Sequence, residues 1–192
     1  MPVFITDEMR RAAEIESKRR NDFIKHHFDL AYMTGGQRDV VGFLGEFACK
    51  EYLGLDWRSG IRKSYETIDK GDILIPGITA DIKTETMSSG KLTLLINGRI
   101  GDDAPYGRRL INQGQVGLLE HYDYVIWGAF PRNLCNWWYP LGYLDTKHIL
   151  ENYKVTEQTP FGSQYPEPCL NIRHSELKDI DSLKKLLEQR KA

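Results

Sequence analysis

Residues 71–86 read GDILIPGITADIKTET and gather two aspartates, a lysine and a glutamate at spacings that suit chemistry. Residues 72–75 and 78–84 are aliphatic and β-branched runs, which predict strands. Pro76-Gly77 between them is a turn signal. A hairpin centred there sets Ile75 against Ile78, Leu74 against Thr79, Ile73 against Ala80 and Asp72 against Asp81. Opposed residues share a face, with Cβ atoms about 5 Å apart. Period two adds Lys83 and Glu85 to the Asp81 face, so one patch is expected to hold Asp72, Asp81, Lys83 and Glu85. Opposed like charges destabilise a strand pair and call for compensation. Lys83 alone would make a salt-bridged surface hairpin. A divalent cation would be the other compensation, since carboxylate oxygens suit Mg²⁺ or Mn²⁺.

A second carboxylate source precedes the hairpin. Asp39 is expected to cap a helix over 40–54, VVGFLGEFACKEYLG, ended by Gly54. Glu46 stands in this unusually apolar stretch, at the edge of the expected buried helix. A Glu46–Lys50 pair at i,i+4 would contribute only a few tenths of a kcal/mol. Gly42 and Gly45 flank Glu46, and each glycine costs roughly 0.8–1 kcal/mol against alanine inside a helix. They call for a packing or site reason.

The whole chain bounds these readings. Its 192 residues suit one domain, 1–192. Hydrophobic residues make up 41% and charged residues 28%, a globular balance. No apolar run reaches 18 residues, so no membrane helix is expected. The start MPVFITDEMRRAAE lacks the apolar region of a signal peptide. Cys49, Cys135 and Cys169 are far apart, which argues for a reducing compartment and against zinc or disulfides. A cytoplasmic protein of prokaryotic or viral origin is expected. The net charge of −1 does not advertise nucleic-acid binding, but acids at one site can mask a basic groove elsewhere.

The remaining pattern predicts a helix over 7–28, a loop at 33–37, a strand over 91–97 (KLTLLIN) and a polar loop over 98–107. A helix over 108–120, a central strand over 122–130 and an edge strand over 137–142 carrying Pro140 follow. A short helix over 145–153, a loop over 156–168, a strand over 169–173 and a helix over 180–191 complete the chain. The expected fold class is α/β, a central mixed sheet flanked by helices.

Glu46 on a helix, Asp72 at a strand start and Asp81-Ile82-Lys83 after eight intervening residues resemble the PD-(D/E)XK nuclease superfamily. The signature here reads GFLGEFACKEYLG … KGDILIPGITADIKTE, with Gly71 in place of the family's proline. The resemblance covers about 38–130 and implies a restriction-endonuclease-like core. It implies metal ligation by Asp72 and Asp81, with the Ile82 carbonyl as a third ligand and Glu46 as an outer one. Lys83 would position or activate the attacking water. The implied activity is Mg²⁺-dependent hydrolysis of DNA, with Mn²⁺ able to substitute and no other small-molecule cofactor. An endonuclease is expected first, a recombination-type exonuclease or a non-catalytic nucleic-acid-binding protein second. A homodimer would suit double-strand cutting.

Arg62, Lys63 and Ser64 before the hairpin, and Arg108, Arg109, Gln113 and Gln115 after it, are candidate nucleic-acid contacts. The recombination exonucleases carry a glutamine in the latter region, but the tyrosine four residues after it is absent here, where Gly117 and Leu119 stand. Trp57, Trp137, Trp138 and Tyr139 could stack on bases or fill the core. The five histidines, among them His26-His27, His121 and His174, lack metal-ligand spacing.

Overall fold

The computed structural model describes residues 1–21, 34–62, 65, 71–132 and 135–191. The elements run β1 (Val3–Phe4), α1 (Asp7–Asn21), α2 (Gly35–Tyr52), β2 (Ile73–Ile75), β3 (Ile78–Met87), α3 (Ser89–Ile96) and β4 (Arg108–Asn112). They continue with α4 (Gln113–Val116), β5 (Tyr124–Pro131), β6 (Trp137–Asp145), α5 (Thr146–Asn152), β7 (Thr156–Gln158), β8 (Gln164–Arg173) and α6 (Ile180–Lys191). A five-stranded sheet has the order β1-β6-β5-β3-β2, and a three-stranded sheet the order β4-β8-β7. The first sheet is mixed, because β3 and β5 are parallel while its other pairs are antiparallel. The class is therefore mixed α/β, with helices flanking a mixed sheet. No helix among the described residues is long and apolar enough to cross a membrane.

The two faces of the first sheet bury different partners. Ile78, Ala80 and Ile82 of β3 join Ile126 and Phe130 of β5 under Phe43 and Phe47 of α2. On the other face, Val125 and Trp127 pack with Ile111 of β4 and with Leu170 and Ile172 of β8. β5 is thus buried on both sides, which explains its almost unbroken apolar run.

α2 forms because residues 43, 44, 47 and 48 give it a buried stripe. It starts earlier than predicted. Thr34 and Gln37 form a reciprocal capping box, so residues 35–37 are helical and Asp39 lies in the second turn, buried. Gly54, at φ +68°, follows the Leu53 cap.

Three expected elements are corrected. Residues 91–97 lie in helix α3 and its cap rather than in a strand: Leu92 and Leu95 are buried three apart, and Leu94 and Ile96 are exposed. Residues 108–112 form strand β4 rather than the start of a helix, with Arg109 and Ile111 buried in alternation. Only the short α4 and a 3₁₀ turn at Leu119–His121 follow it. The expected loop over 156–168 holds β7 and the first half of β8, which pair with each other. Pro140 lies in β6, which is not an edge strand, but β1 reaches only Trp137 and Trp138 and leaves Pro140 without a β1 neighbour. α1 is described to Asn21; its expected extension to 28, with His26 and His27, lies outside the described residues.

Candidate active site at the start of strand β3

The hairpin forms in the expected register, with Ile73 opposite Ala80, Leu74 opposite Thr79 and Ile75 opposite Ile78. Gly77, at φ +75°, supplies the turn conformation that only glycine adopts readily. The ladder then stops one residue short of the expected aspartate pair. Asp72 N–H donates to Ala80 O at 2.9 Å, and the Asp72 carboxylate swings to the edge of β3, where Oδ2 accepts the Ile82 N–H at 2.7 Å. Gly71, at φ +128°, lets the chain turn in here. A Cβ at Gly71 would meet Ala80 O at 3.2 Å and the Tyr122 ring at 3.4 Å.

The predicted patch is therefore divided. Asp81 lies beside Val125 and Lys83 beside Trp127, both in the cluster that packs on β8. Ile82 lies beside Ile126, in the cluster under α2. Asp81, Lys83 and Glu85 thus stand on the face away from α2, while Glu46 belongs to α2 itself. Period two separates them, and Asp72 at the edge lies between the two sides.

Each carboxylate has a cation nearby. Lys83 Nζ lies 2.8 Å from Asp81 Oδ2. Arg62 Nη2 donates to Asp72 Oδ1 at 3.3 Å. Lys50, almost fully buried, lies within electrostatic range of Glu46 and Asp72. Burial lowers the Lys50 ammonium below its usual pKa, and the two carboxylates oppose that shift. The Cys49 thiol is pushed far up, first by burial and then by Asp72, which leaves it an inert core thiol.

Behind Arg62 lies a carboxylate that had no role in the sequence pattern. Glu16 of α1 is fully buried; its Oε2 accepts from Tyr65 Oη at 2.7 Å and from Arg62 N at 3.1 Å. Arg19 donates to Oε1 at 2.9 Å. The signal was present in the chain, since buried Met9, Ala13, Glu16 and Ser17 form one helical stripe.

The remaining candidates separate. Arg109 is fully buried and donates to Glu85 and to the Tyr106 carbonyl, so it ties β4 to β3 rather than facing solvent. Burial raises the Glu85 carboxyl above its usual value, and Arg109 pulls it back. Arg108 bonds Asp103 at 2.6 Å and the Asp102 carbonyl at 2.8 Å. Gln113 and Gln115 are exposed on α4. Lys63 and Ser64 lie outside the described residues. Trp57 and Trp138 are core, Tyr139 packs with the α3 cluster, and Trp137 is half-exposed edge-on to Phe4.

The donor set suits a hard cation in part. Asp72, Asp81 and the Ile82 carbonyl offer oxygen donors, and Asp81 Oδ2 is already held by the Lys83 ammonium at 2.8 Å. Among the described residues, no three of His, Cys, Asp and Glu form a metal-holding group. Two carboxylates still leave coordination positions for waters and a phosphate, as Mg²⁺ prefers. No family model, no curated protein and no solved structure matches the chain.

Proposed function

We propose that the chain is a metal-dependent deoxyribonuclease, acting first as an endonuclease, with its centre at the start of β3. The observation that carries this reading is the Asp72 carboxylate on the Ile82 amide at 2.7 Å, one residue from the Asp81–Lys83 pair. The Asp72 carboxylate is thus held at the main chain of the residue that follows Asp81, whose own side chain pairs with Lys83. Asp72, Asp81 and the Ile82 carbonyl would hold Mg²⁺ or Mn²⁺, with Glu46 as an outer ligand. A bound ion of this kind supplies Lewis acidity to a phosphoryl oxygen and lowers the pKa of its water. Lys83 adds positive charge where the nucleophile approaches and where charge develops in the transition state. Arg62 supplies a second cation for the phosphate. The element order α2, β2, β3 and then β5 supports a restriction-endonuclease-like core, although α3 stands where a third strand was expected.

A second reading, a nucleic-acid-binding protein without catalysis, is favoured by the charge balance. Glu46, Asp72 and Asp81 are already matched by Lys50, Arg62 and Lys83. Incubating circular plasmid, linear plasmid and single-stranded DNA with Mg²⁺, Mn²⁺ or EDTA separates the readings. Metal-dependent loss of circles, abolished in Asp81→Ala and Lys83→Ala, supports the endonuclease. Degradation of linear DNA alone moves the reading to an exonuclease. Absence of cutting with either metal, or full activity in Asp81→Ala, leaves the second reading.

A further inference from the structure

Among the described residues, β2 covers β3 only at Ile78–Ala80, and no described strand pairs with the same edge of β3 beyond Ile82. In a strand, main-chain polar groups alternate sides. Asp123 N–H reaches Thr79 O and Arg132 N–H reaches Met87 O on the β5 side, while the Ile82 N–H points to the β2 edge. The N–H and C=O groups of Thr84 and Thr86 therefore point to that edge as well. A cavity of about 410 Å³ lies over it, within the size range of small-ligand sites. Its aromatic and apolar lining comes from Tyr106, Leu110, Phe161, Tyr165 and Val41 of α2. Arg38 and Arg108 contribute the positive charge. Thr84 Oγ1 is buried without a hydrogen-bond partner. Tyr106 alone among the described non-glycine residues has a positive φ, +71°, the conformation in which its side chain lines the cavity.

We propose that this pocket receives the base of an unpaired nucleotide, so that the substrate of the site is single-stranded or locally unpaired DNA. Flat aromatic faces stack on any base. The main-chain donors and acceptors of Thr84 and Thr86 are polar groups that a base edge satisfies. The two arginines bring positive charge to the cavity for the attached phosphates, although Arg108 shares its guanidinium with Asp103 and the Asp102 carbonyl. Glu85 also lines the cavity, but its charge is matched by Arg109. Thr84 lies three residues beyond Asp81, about 10 Å along the strand. A base held there belongs to a nucleotide close to the phosphate placed at Asp72 and Asp81. A paired base inside a duplex cannot enter such a pocket without leaving its stack.

This inference rests on the nuclease reading for its biological sense but is tested by binding. Single-stranded oligonucleotides carrying 2-aminopurine, and the same sequence as a blunt duplex, are titrated with protein in EDTA. The wild type is expected to bind the single strand at least about tenfold more tightly, with a change in 2-aminopurine emission. Phe161 is 50% exposed, so Phe161→Ala leaves the fold intact, which a thermal melt verifies. It is expected to lose about tenfold or more in single-strand affinity, as removal of a stacking platform does, with duplex affinity unchanged. Equal binding of both forms, or no loss in Phe161→Ala, overturns the pocket. Phe161-dependent binding without any cleavage in metal sinks the nuclease reading and keeps the pocket; metal-dependent cutting of duplex with no preference for single strands does the reverse.

Discussion

Four residues apart on one face of β3, Asp81 meets Lys83 and Glu85 meets Arg109. The sequence presents them as one acidic row. Their surroundings differ. All three residues of β3 are partly exposed, Asp81 at 13%, Lys83 at 20% and Glu85 at 27%, and Asp81 and Lys83 belong to the same strand. Arg109 is fully buried and comes from the second sheet, with its other hydrogen bond on the Tyr106 carbonyl. The first pair can open without moving any element. The second joins β4 to β3, and opening it strands a guanidinium in the interior. One acidic row thus divides into a pair that can open freely and a pair committed to structure.

The sharpest test sets the two acids side by side. Glu85→Ala leaves Arg109 buried and uncompensated, and its expected cost is about 3–5 kcal/mol of unfolding free energy. Asp81→Ala is expected to cost no more than about 1 kcal/mol, in the range of partly solvated ion pairs, while abolishing metal-dependent cleavage. Urea unfolding and a plasmid assay on the same preparations read both effects. Equal destabilisation by the two substitutions would erase the distinction.

The opposite face of β3 gives the next effect. A Cβ on Gly45 would lie 1.8 Å from Thr84 Oγ1 and 2.6 Å from Thr84 Cβ, against a stiff β-branched side chain. Gly45→Ala should therefore destabilise by about 1–3 kcal/mol through overpacking, despite alanine's better helix propensity. The double variant Gly45→Ala with Thr84→Ala should recover most of the loss. No recovery in a melting experiment would mean that α2 and β3 do not touch there.

His174 reports on the committed pair from its far side. Burial, and then the nearby Arg109 charge, push its pKa down from 6.5 to about 4, while Asp102 acts in the other sense. The folded chain refuses a proton that the unfolded chain accepts. This contribution to stability is thus present above about pH 6.5 and is lost as pH falls toward 4. The melting temperature of His174→Gln should fall less than that of the wild type across this window. Parallel curves would place His174 in solvent.

Much of this arrangement was legible beforehand, and the failures share a cause. α2, the hairpin register, β5 and α6 carry their periods or turn residues locally. The run KLTLLIN is too short to show a period, and Ser88, the cap of α3, passes for loop. β4 finds its partner β8 about sixty residues later, at Arg108–Arg173, and no local signal announces such a pairing. The division of the candidate site follows from the same limit. The register through Ile73–Ala80 was readable, but the swing of Asp72 onto the Ile82 amide depends on the end of the ladder and on Gly71.

Gly42 and Gly45 looked equivalent around Glu46, and only Gly45 has found its reason. A Cβ on Gly42 would meet nothing within 4 Å. Gly42→Ala should therefore stabilise α2 by roughly 0.5–1 kcal/mol, because alanine loses less backbone entropy in a helix. Thermal or urea unfolding measures this directly. Cleavage kinetics on the same variant decide what the space is for. Unchanged cleavage makes Gly42 a position where the sequence is simply below its stability optimum. A more stable protein that cuts more slowly would mean that the gap one helical turn before Glu46 admits the nucleic acid itself.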